Sequence, residues 1–426
     1  MAQLTDDCFA FDGPMMTLAE AQAQIQARIT PVQETQQVAL SVARGRVLAA
    51  EVIAPVNLPP FDNSAVDGYA VRHADLASAG ETRMLVAGRL QAGVHRDIAI
   101  GAGEAIRIFT GAPMPEGADT VFMQEDCRLE AGGVILPPGL NRGANCRLQG
   151  EDVAKGHVIL KAGTRLGAQH IGLLAAMGLK HVELRRRIRV ALFSTGDELA
   201  EAGQPLGAAA IYDANRPLLA GMAQMLGVEV TDLGILADDE ALLSRALAGA
   251  AQSHDLVVTS GGVSTGEADY VKGAVESVGT MAFWRIAIKP GRPVAFAVLG
   301  GATPDSQAAF AGLPGNPVAA FITFAQVVRP LILRLAGALP EQPLAIPVRS
   351  AFAYRKKEGR REYVRVSLRR SSDGAIEASK YRQDGAGVIS SLTATDGLLE
   401  LPESMSALEP GMQANFISYA AFMGAI

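Results

Sequence analysis

Four glycine-rich polar segments between residues 194 and 317 have the residue types of an anion-binding site. They lie at residues 194–198 (STGDE), 260–269 (SGGVSTGEAD), 289–293 (KPGRP) and 312–317 (GLPGNP). Glycine loops that lead into helices leave backbone amides free for a phosphate-like anion, and the helix dipole adds to the attraction. Tight-turn chemistry explains any one segment alone, but four together favour a ligand site. The candidate substrate-binding residues from these loops are Ser260, Gly261, Gly262, Ser264, Gly266, Arg292, Pro314, Gly315 and Asn316.

Acidic residues accompany these loops at the expected junctions between strands and helices. They are Asp197, Glu198, Asp238, Asp239, Glu267 and Asp269. Helix capping is an alternative explanation for Asp239 and Glu267. A hard cation such as Mg²⁺, held by one or two carboxylates and substrate phosphates, would reconcile acidic side chains with an anionic ligand. Positive charge for the same anion comes from Arg285, Lys289 and Arg292.

Alternating strands and helices between residues 188 and 336 are expected to position these loops. The predicted strands are 188–193, 229–233, 256–259 and 294–298, and the predicted helices are 215–226, 239–251, 269–277 and 317–335. This alternation is typical of a largely parallel sheet with right-handed crossovers. Ligands bind at the carboxyl ends of the strands in such sheets, so all four loops should meet around one crevice.

The rest of the chain has a different pattern. Residues 17–47 have helical spacing, with Thr17 as an N-cap and Glu20 three residues later, and Pro31 should divide them into two helices. Residues 50–184 favour a β-rich, irregular structure with many turns. After Pro340 the chain returns to strands, expected at 345–348, 363–368 and 414–418. A small all-β domain is therefore predicted at the C-terminus.

Composition excludes several classes of function. The 426 residues carry a net charge of -6, with no general attraction to nucleic acid or to an anionic membrane. The basic stretch 355–370 could suggest RNA binding, but its alternation favours an ordinary strand with solvated charges. The three cysteines lack C-x-x-C spacing, which argues against disulfides and structural zinc and favours a reducing cytosol. The sequence contains neither a G-x-G-x-x-G motif after a strand nor a G-x-x-x-x-G-K-[ST] motif, so it gives no support for a dinucleotide site or a P-loop nucleotide site.

Neither secretion nor membrane insertion is expected. Residues 1–12 carry acidic residues where a secretory signal would have a basic region, so a cytoplasmic location is predicted. The uncharged stretch 306–328 is long enough to suggest a membrane span, but Pro-Gly-Asn-Pro at 314–317 interrupts it with turn chemistry. A strand, a loop and a helix are predicted there.

Two turn-rich segments outside the sheet carry few solubilising charges. They are 59–70 (PPFDNSAVDGYA) and 107–115 (RIFTGAPMP), and a hairpin with an Asp-Gly turn is an alternative explanation for the first. In order along the chain, these segments and the loops above closely resemble the molybdopterin molybdenumtransferases, which include bacterial MoeA and the C-terminal region of gephyrin. The matching motifs are DNSAVDGYAVR, RIFTGAPMP, RLQGEDV, STGDEL, IYDANR, SGGVSTGEADYVK, AIKPGRP and LPGNPVA, within residues 15–425.

The resemblance implies a multi-domain α/β plus β fold in an elongated, L-shaped subunit. Residues 1–55 and 150–186 would form N-terminal helices and an extended discontinuous domain, and residues 56–149 a β-rich domain. Residues 187–338 would form the α/β molybdopterin-binding domain with a mostly parallel sheet, and 339–426 a C-terminal β-barrel. Members of the family are similar in being homodimers whose active site combines the α/β domain of one subunit with the β-rich domain of the other.

Functional residues carried over from the resemblance fall into three groups. The catalytic group is Asp67, Thr110, Asp152, Glu198, Asp238 and Lys289. Glu198 and Asp269 would hold Mg²⁺. The third group would contact substrate: it contains the loop residues, Arg285 and one of the two serines Ser390 and Ser391, of which Ser391 is chosen. Arg285 stands where bacterial relatives often have Lys.

The activity implied is insertion of molybdate into adenylyl-molybdopterin, with Mg²⁺-dependent release of AMP. Two alternatives are the preceding adenylylation of molybdopterin, because the sheet domain resembles that of the adenylyltransferases, and a gephyrin-like scaffold. The additional domains argue against the first, and the retained acidic and glycine-rich motifs against the second. Other proteins of the cofactor pathway and recipient molybdoenzymes are the expected partners, without nucleic acid or membrane.

Overall fold

The N-terminal segment begins with one helix and continues in extended form. The computed structural model describes residues 15–94, 98–263, 270–301 and 307–423. Helix α1 (Leu18–Arg28) begins at Thr17, which forms the predicted capping box with Glu20. The second helix predicted after Pro31 is wrong. The chain forms strand β1 (Thr35–Ala39), a 3₁₀ turn (Leu40–Val42) and strand β2 (Val52–Ile53), because their backbone groups find partners in strands much later in the sequence.

The β-rich segment forms a six-stranded sheet with apolar residues on both faces. The strands of this segment, in the sheet and beside it, are β3 (Asn63–Ser64), β4 (Gly68–Val71), β5 (Thr82–Leu90), β6 (Glu104–Ile108), β7 (Thr120–Met123), β8 (Arg128–Glu130), β9 (Gly133–Leu136) and β10 (Cys146–Arg147). The sheet order is β7-β4-β6-β5-β9-β8, and β3 pairs with β10. Alternate residues of β4 enter two separate cores, Tyr69 and Val71 on one face and Ala70 on the other.

The chain then returns to the N-terminal segment. Strand β11 (Val158–Leu160) pairs with β2, helix α2 (Ala168–Ala176) follows, and strand β12 (His181–Arg185) pairs with β1. Leu48, Leu166, Leu174 and Leu184 are buried in the core that these elements share. The β-rich segment is therefore inserted between two halves of one extended unit. The exact domain boundaries stay a prediction.

The central α/β region contains the predicted alternation of strands and helices. Its elements are β13 (Arg189–Thr195), β14 (Leu199–Ala200), β15 (Ile211–Tyr212), α3 (Asn215–Met225), β16 (Glu229–Leu236), α4 (Glu240–Ala251), β17 (Leu256–Ser260), α5 (Tyr270–Val278), β18 (Gly279–Arg285), β19 (Ile288–Lys289), β20 (Pro293–Gly300), β21 (Gln307–Leu313), α6 (Pro317–Thr323), a π-helical turn (Phe324–Val328) and α7 (Arg329–Leu335). The sheet order is β16-β13-β17-β21-β20-β18. The first four strands are parallel to one another, β20 runs antiparallel to β21, and β18 runs antiparallel to β20.

The continuous helical stretch at 317–335 packs inside this region. It is long and apolar enough to cross a membrane, but 83% of its most apolar window is buried within the protein. Pro317 starts the helix directly after the predicted turn, where a missing N–H has no cost. The predicted strand, loop and core helix are therefore confirmed.

The C-terminal region is a closed β-barrel. Its elements are β22 (Ile346–Ser350), β23 (Tyr354–Arg355), β24 (Arg361–Arg370), β25 (Ile376–Lys380), α8 (Ser390–Thr393), β26 (Gly397–Leu401), β27 (Ala407–Leu408), β28 (Gln413–Ser418) and α9 (Tyr419–Met423). Strand β24 pairs with both β25 and β26, which closes the order β24-β25-β22-β28-β26. The predicted strand is confirmed, but the prediction that its charges are solvated is wrong: Arg361 and Arg369 form ion pairs with neighbouring carboxylates, and Arg365 is buried.

Candidate functional site

Three of the predicted loops leave the same edge of the parallel sheet. Ser194 lies opposite Ser260 and Ile235, and Ser260 lies opposite Leu313. The third loop, 289–293, reaches this edge differently from the prediction. It precedes β20, which runs antiparallel, so the amino end of that strand lies beside the carboxyl end of β21. The four loops therefore share one edge, as predicted, but only three of them follow the carboxyl end of a strand.

Asn215 joins the second loop to the fourth. Its side-chain nitrogen Nδ2 donates to Ser260 Oγ and to the Gly315 carbonyl, both at 2.7 Å. Ser260 Oγ in turn donates to the Pro314 carbonyl at 3.3 Å. Asn215 and Ser260 are both buried. Sequence reasoning did not assign a role to Asn215, although it is the fifth residue of the IYDANR motif and stands at the start of a predicted helix.

Arg216, the next residue, holds the turn from which Asn215 projects. Its guanidinium contacts Asp213 at 3.1 Å, Asp232 at 2.7 Å and Glu201 at 2.5 Å. Burial by itself lowers the pKa of Arg216, but the bonds to Asp232, Asp213 and Glu201 outweigh it and raise the pKa. This charged network fixes the start of α3, and with it the amide that bridges the two loops.

The glycines of the second loop are required by its backbone shape. Gly261 and Gly262 have φ of +94° and +63°, values that other residues rarely adopt. A Cβ on Gly261 would lie 2.1 Å from the Thr195 carbonyl oxygen, and one on Gly262 would lie 2.4 Å from a methyl carbon of Val271. The Gly261 amide donates to the Leu313 carbonyl at 3.0 Å, so this amide is not free for an anion. Gly261 thus brings the first and second loops together and does not donate to a ligand.

The acidic residues of this edge have separate roles. Asp239 caps α4 by accepting a hydrogen bond from Leu242 N at 2.7 Å, which confirms capping as its explanation. Asp238 accepts a hydrogen bond from the Thr195 hydroxyl. Glu198 is exposed, and its carboxylate lies against buried Gly196, where an added Cβ would be 2.7 Å from Oε2. Asp238 and Glu198 thus both contact the end of β13.

A metal site made by protein ligands alone is absent from the described residues. Within the ranges that the structure describes, no group of three or more His, Cys, Asp or Glu side chains could hold a metal ion. The predicted ligand Asp269 lies outside those ranges, together with Ser264, Gly266 and Glu267. Glu198 and Asp238 offer the hard oxygen donors that Mg²⁺ prefers when waters and substrate phosphates complete its shell. The residues present therefore fit a magnesium ion held partly by substrate.

A basic cavity lies where the third and fourth loops meet the C-terminal barrel. Its volume is about 320 Å³, and its polar lining includes Lys289, Arg292, Asn316, Arg365, Lys380 and Tyr381, together with Asp384, which pairs with Lys380 at 2.7 Å. Burial is the largest influence on the pKa of Lys289 and lowers it, but contacts with Tyr354 and Glu362 outweigh burial and raise the pKa. Lys289 is therefore a protonated ammonium, with 44% of its side chain exposed towards solvent. The cavity can receive an anion.

Two predicted contact residues do not reach this cavity. Arg285 is only 3% exposed, so a ligand at the crevice does not meet its guanidinium in this conformation. Ser391 is fully buried and its hydroxyl donates to the Val388 carbonyl, whereas the neighbouring Ser390 is exposed. The structure thus favours Ser390 over Ser391 for ligand contact.

Arg365 lines the cavity and was missed by sequence reasoning. Two of its guanidinium nitrogens donate to the carbonyls of Gly385 and Gln383, at 3.0 Å and 2.9 Å, and it is buried. It stands in the basic strand that looked like a solvated surface. The signal in the sequence that could have indicated its burial is the apolar residue on each side of it, Val364 and Val366.

Asp67 and Thr110 form a separate pair on the β-rich sheet. Asp67 Oδ1 accepts from Thr110 N and from Thr110 Oγ1, both at 2.8 Å. Both bonds lower the pKa of Asp67, and the bond from the Thr110 backbone amide has the larger effect. Asp152 is exposed in a turn whose backbone bonds to Leu58. Among the described residues, no hydrogen bond or ion pair joins Asp67, Thr110 or Asp152 to the loops of the α/β region.

Comparisons with known proteins cover nearly the whole chain. A family model of the MoeA N-terminal region (domain I and II) matches residues 16–178. A model of a probable molybdopterin binding domain matches residues 191–334, and one of the MoeA C-terminal region (domain IV) matches residues 347–419. These three matches follow the extended and β-rich region, the α/β region and the barrel in order.

Individual relatives agree with the family models. The molybdopterin molybdenumtransferase of Haemophilus influenzae is 39% identical over 93% of this chain and 97% of its own length. That of a Nostoc species is 36% identical over 89% of this chain and 87% of its own length. The crystal structure of the moeA protein from Pyrococcus horikoshii superposes with a TM-score of 0.79 at 28% identity, covering 95% of this chain and 100% of that one. The chain therefore belongs to the molybdopterin molybdenumtransferase (MoeA) family.

Proposed function

We propose that this protein inserts molybdate into adenylyl-molybdopterin and releases AMP and the metallated cofactor. One observation supports the proposal: the fourth loop contacts both Asn215, beside the second loop, and the cavity that contains Lys289. Its Gly315 carbonyl is bound by Asn215 beside the second loop, while Pro314 and Asn316 line the cavity that contains Lys289. A pyrophosphate on the loops and a second anion in the cavity would therefore lie next to each other.

The cavity has the chemistry that molybdate requires. Molybdate is a tetrahedral dianion, and charged donors bind it as they bind phosphate. Lys289 and Arg292 supply positive charge, and Arg365 adds a buried guanidinium to the wall. Sulfur ligands for the metal would come from the pterin. Burial raises the pKa of the thiols of Cys127 and Cys146 to about 11, so these cysteines stay protonated and make poor metal ligands.

Catalysis would rest on positioning and on charge. Glu198 and Asp269 would hold Mg²⁺, which when bound supplies positive charge to the pyrophosphate. Asp238, fixed by the Thr195 hydroxyl, would orient groups at the end of β13. Lys289 would hold molybdate close to the dithiolene while water attacks the pyrophosphate, so that a new P–O bond to water replaces the P–O–P bond, AMP leaves and the pterin keeps its own phosphate. Fixed donors and a fixed geometry lower the barrier without covalent chemistry by the protein.

A second subunit would complete the site. Asp67, Thr110 and Asp152 have no bond to the α/β loops within the described part of the chain, yet all three belong to motifs of the family. In a homodimer, the β-rich sheet of one subunit would face the loops of the other. Proteins of the cofactor pathway and recipient molybdoenzymes are the proposed transient partners, in the cytoplasm.

The direct test incubates the protein with adenylyl-molybdopterin and measures AMP after molybdate is added. We expect molybdate to trigger AMP release. Lys289→Ala should raise the molybdate concentration needed by about 10–150-fold, given ~1.5–3 kcal/mol for a charged hydrogen bond, and leave pterin binding nearly unchanged. Lys161→Ala, which removes an exposed lysine of the extended unit, is the matched control.

Other outcomes would identify the alternatives. Consumption of ATP to adenylylate molybdopterin, without any effect of molybdate on AMP release, would assign the protein to the preceding step. Binding of the pterin without any conversion would favour a scaffold. Either result would overturn the insertion proposal.

A further inference from the structure

Lys289 belongs to the α/β region by sequence, but its backbone is part of the C-terminal barrel. Strand β19 pairs in parallel with β24, with Ile288 opposite Arg361 and Lys289 opposite Glu362. The Arg361 amide also donates to the Ala287 carbonyl at 2.9 Å. The start of the third loop is thus a short strand paired with the first residues of β24, so the barrel determines where the lysine stands.

The side chain of Lys289 is fixed by the same barrel. Its ammonium lies 3.2 Å from Glu362 Oε2 and donates to the Tyr354 hydroxyl at 3.1 Å. The Tyr354 hydroxyl donates to the same Glu362 oxygen at 2.9 Å, and Arg360 Nε donates to the other oxygen at 2.7 Å. Glu362 is only 1% exposed. Both oxygens of a buried carboxylate are therefore used to hold surrounding donors.

This arrangement leaves the lysine ready for one more acceptor. A lysine ammonium has three N–H donors, and Tyr354 and Glu362 account for two of them here. Among the residues that the structure describes, no hydrogen bond or ion pair uses the third, and Lys289 lines the cavity. An unrestrained lysine loses about 1.5–2 kcal/mol of side-chain entropy when it is fixed. Glu362 and Tyr354 have already fixed this lysine before any anion arrives.

We propose that Glu362, together with Tyr354, is a positioning residue for molybdate: it holds the Lys289 ammonium at the wall of the cavity in the orientation that binds the anion. The inference rests on the proposed function, since it assigns Lys289 to molybdate. The opposing explanation is that Glu362 only neutralises Lys289. The two explanations predict opposite signs, because removing a neutralising carboxylate would strengthen anion binding, whereas removing a positioning carboxylate weakens it.

The experiment compares molybdate dependence in Glu362→Gln and the wild type. We expect KM for molybdate to rise by about tenfold, as is common when an outer partner of a ligating group is lost, with little change in affinity for the pterin. In a Lys289→Ala background, Glu362→Gln should have no further effect on KM, because it acts through the lysine. Glu400→Gln is the control: this barrel carboxylate bonds Arg361 and Tyr363 and has no contact with Lys289.

A second variant covers the possibility that Glu362→Gln does not fold. Tyr354→Phe keeps the ring and removes only the hydroxyl, and it should raise KM for molybdate by about threefold, the equivalent of one ordinary hydrogen bond. Titration calorimetry of molybdate into each protein without pterin gives the same comparison independently of turnover. Absence of turnover in the wild type would count against the proposed function, and the calorimetric comparison would still decide the role of Glu362.

Three results would overturn the inference. One is a lower KM or tighter molybdate binding in Glu362→Gln, which would make the carboxylate a neutraliser. Another is an equal effect of Glu362→Gln with and without Lys289, which would mean that it acts through the barrel as a whole. The third is an equal effect of Glu400→Gln.

Discussion

Gly261→Ala tests whether the second loop forms the binding site for the pterin pyrophosphate. The residue has φ of +94°, and the new Cβ would lie 2.1 Å from the Thr195 carbonyl oxygen and 3.3 Å from its carbonyl carbon. Both contacts are with backbone, which cannot rotate away as a side chain can. The strained φ alone costs about 1–3 kcal/mol. The loop will relieve the overlap by moving away from the first loop, so the two will no longer share one edge.

The expected result is a loss of pterin affinity. If the strain is relieved only in the free loop, about 1–3 kcal/mol corresponds to a roughly 5–150-fold higher Kd. Equilibrium dialysis with adenylyl-molybdopterin measures this directly. Gly221→Ala on helix α3 is the control, because its Cβ meets nothing within 4 Å and alanine favours a helix. Wild-type affinity in Gly261→Ala, with the fold intact by circular dichroism, would refute the assignment of the loop to the pyrophosphate.

Three further predictions concern other parts of the site. Inactive Asp67→Ala and Asp269→Ala subunits should regain part of their turnover as mixed dimers if the site is shared, and verified heterodimers without any turnover would contradict this. Thr110→Val removes one of the bonds that lower the pKa of Asp67, so that pKa should rise. If turnover needs the ionised carboxylate of Asp67, the acidic limb of the pH–rate profile should move to higher pH. An unmoved limb would exclude a catalytic role for this carboxylate. Asn215→Ala should raise KM for the pterin by about tenfold through loss of two bonds of ~0.5–1.5 kcal/mol each, whereas exposed Gln224→Ala on the same helix should leave it unchanged.

Local chemistry made several helices of the N-terminal segment and the α/β region predictable. Thr17 with Glu20, and Asp239 before a helix, are capping signals that act within three residues, and both form in the structure. The alternation of apolar runs with helices likewise depends on neighbours in sequence. The second N-terminal helix was the main error, because residues 35–39 pair with strand 181–185, which no local pattern reveals.

Some residues of the site were likewise predictable from the sequence, and others were not. Residue type and order alone pointed to the glycine loops and to Lys289, because a tight turn at positive φ needs glycine and an anion needs a charged donor. The sequence also carried the family resemblance, since the motifs appear in order.

Only the tertiary structure decided which of these groups meet. Asn215 reaches Ser260 and Gly315 because three strands end at one edge, and Lys289 meets Glu362 because its strand joins the barrel. Tertiary packing also determined which side chains are buried: Arg285 and Ser391 are buried away from the cavity, whereas Arg365 forms part of its wall. Side-chain contacts and burial depend on packing between segments far apart in the chain, and a linear pattern of residue types does not contain that information.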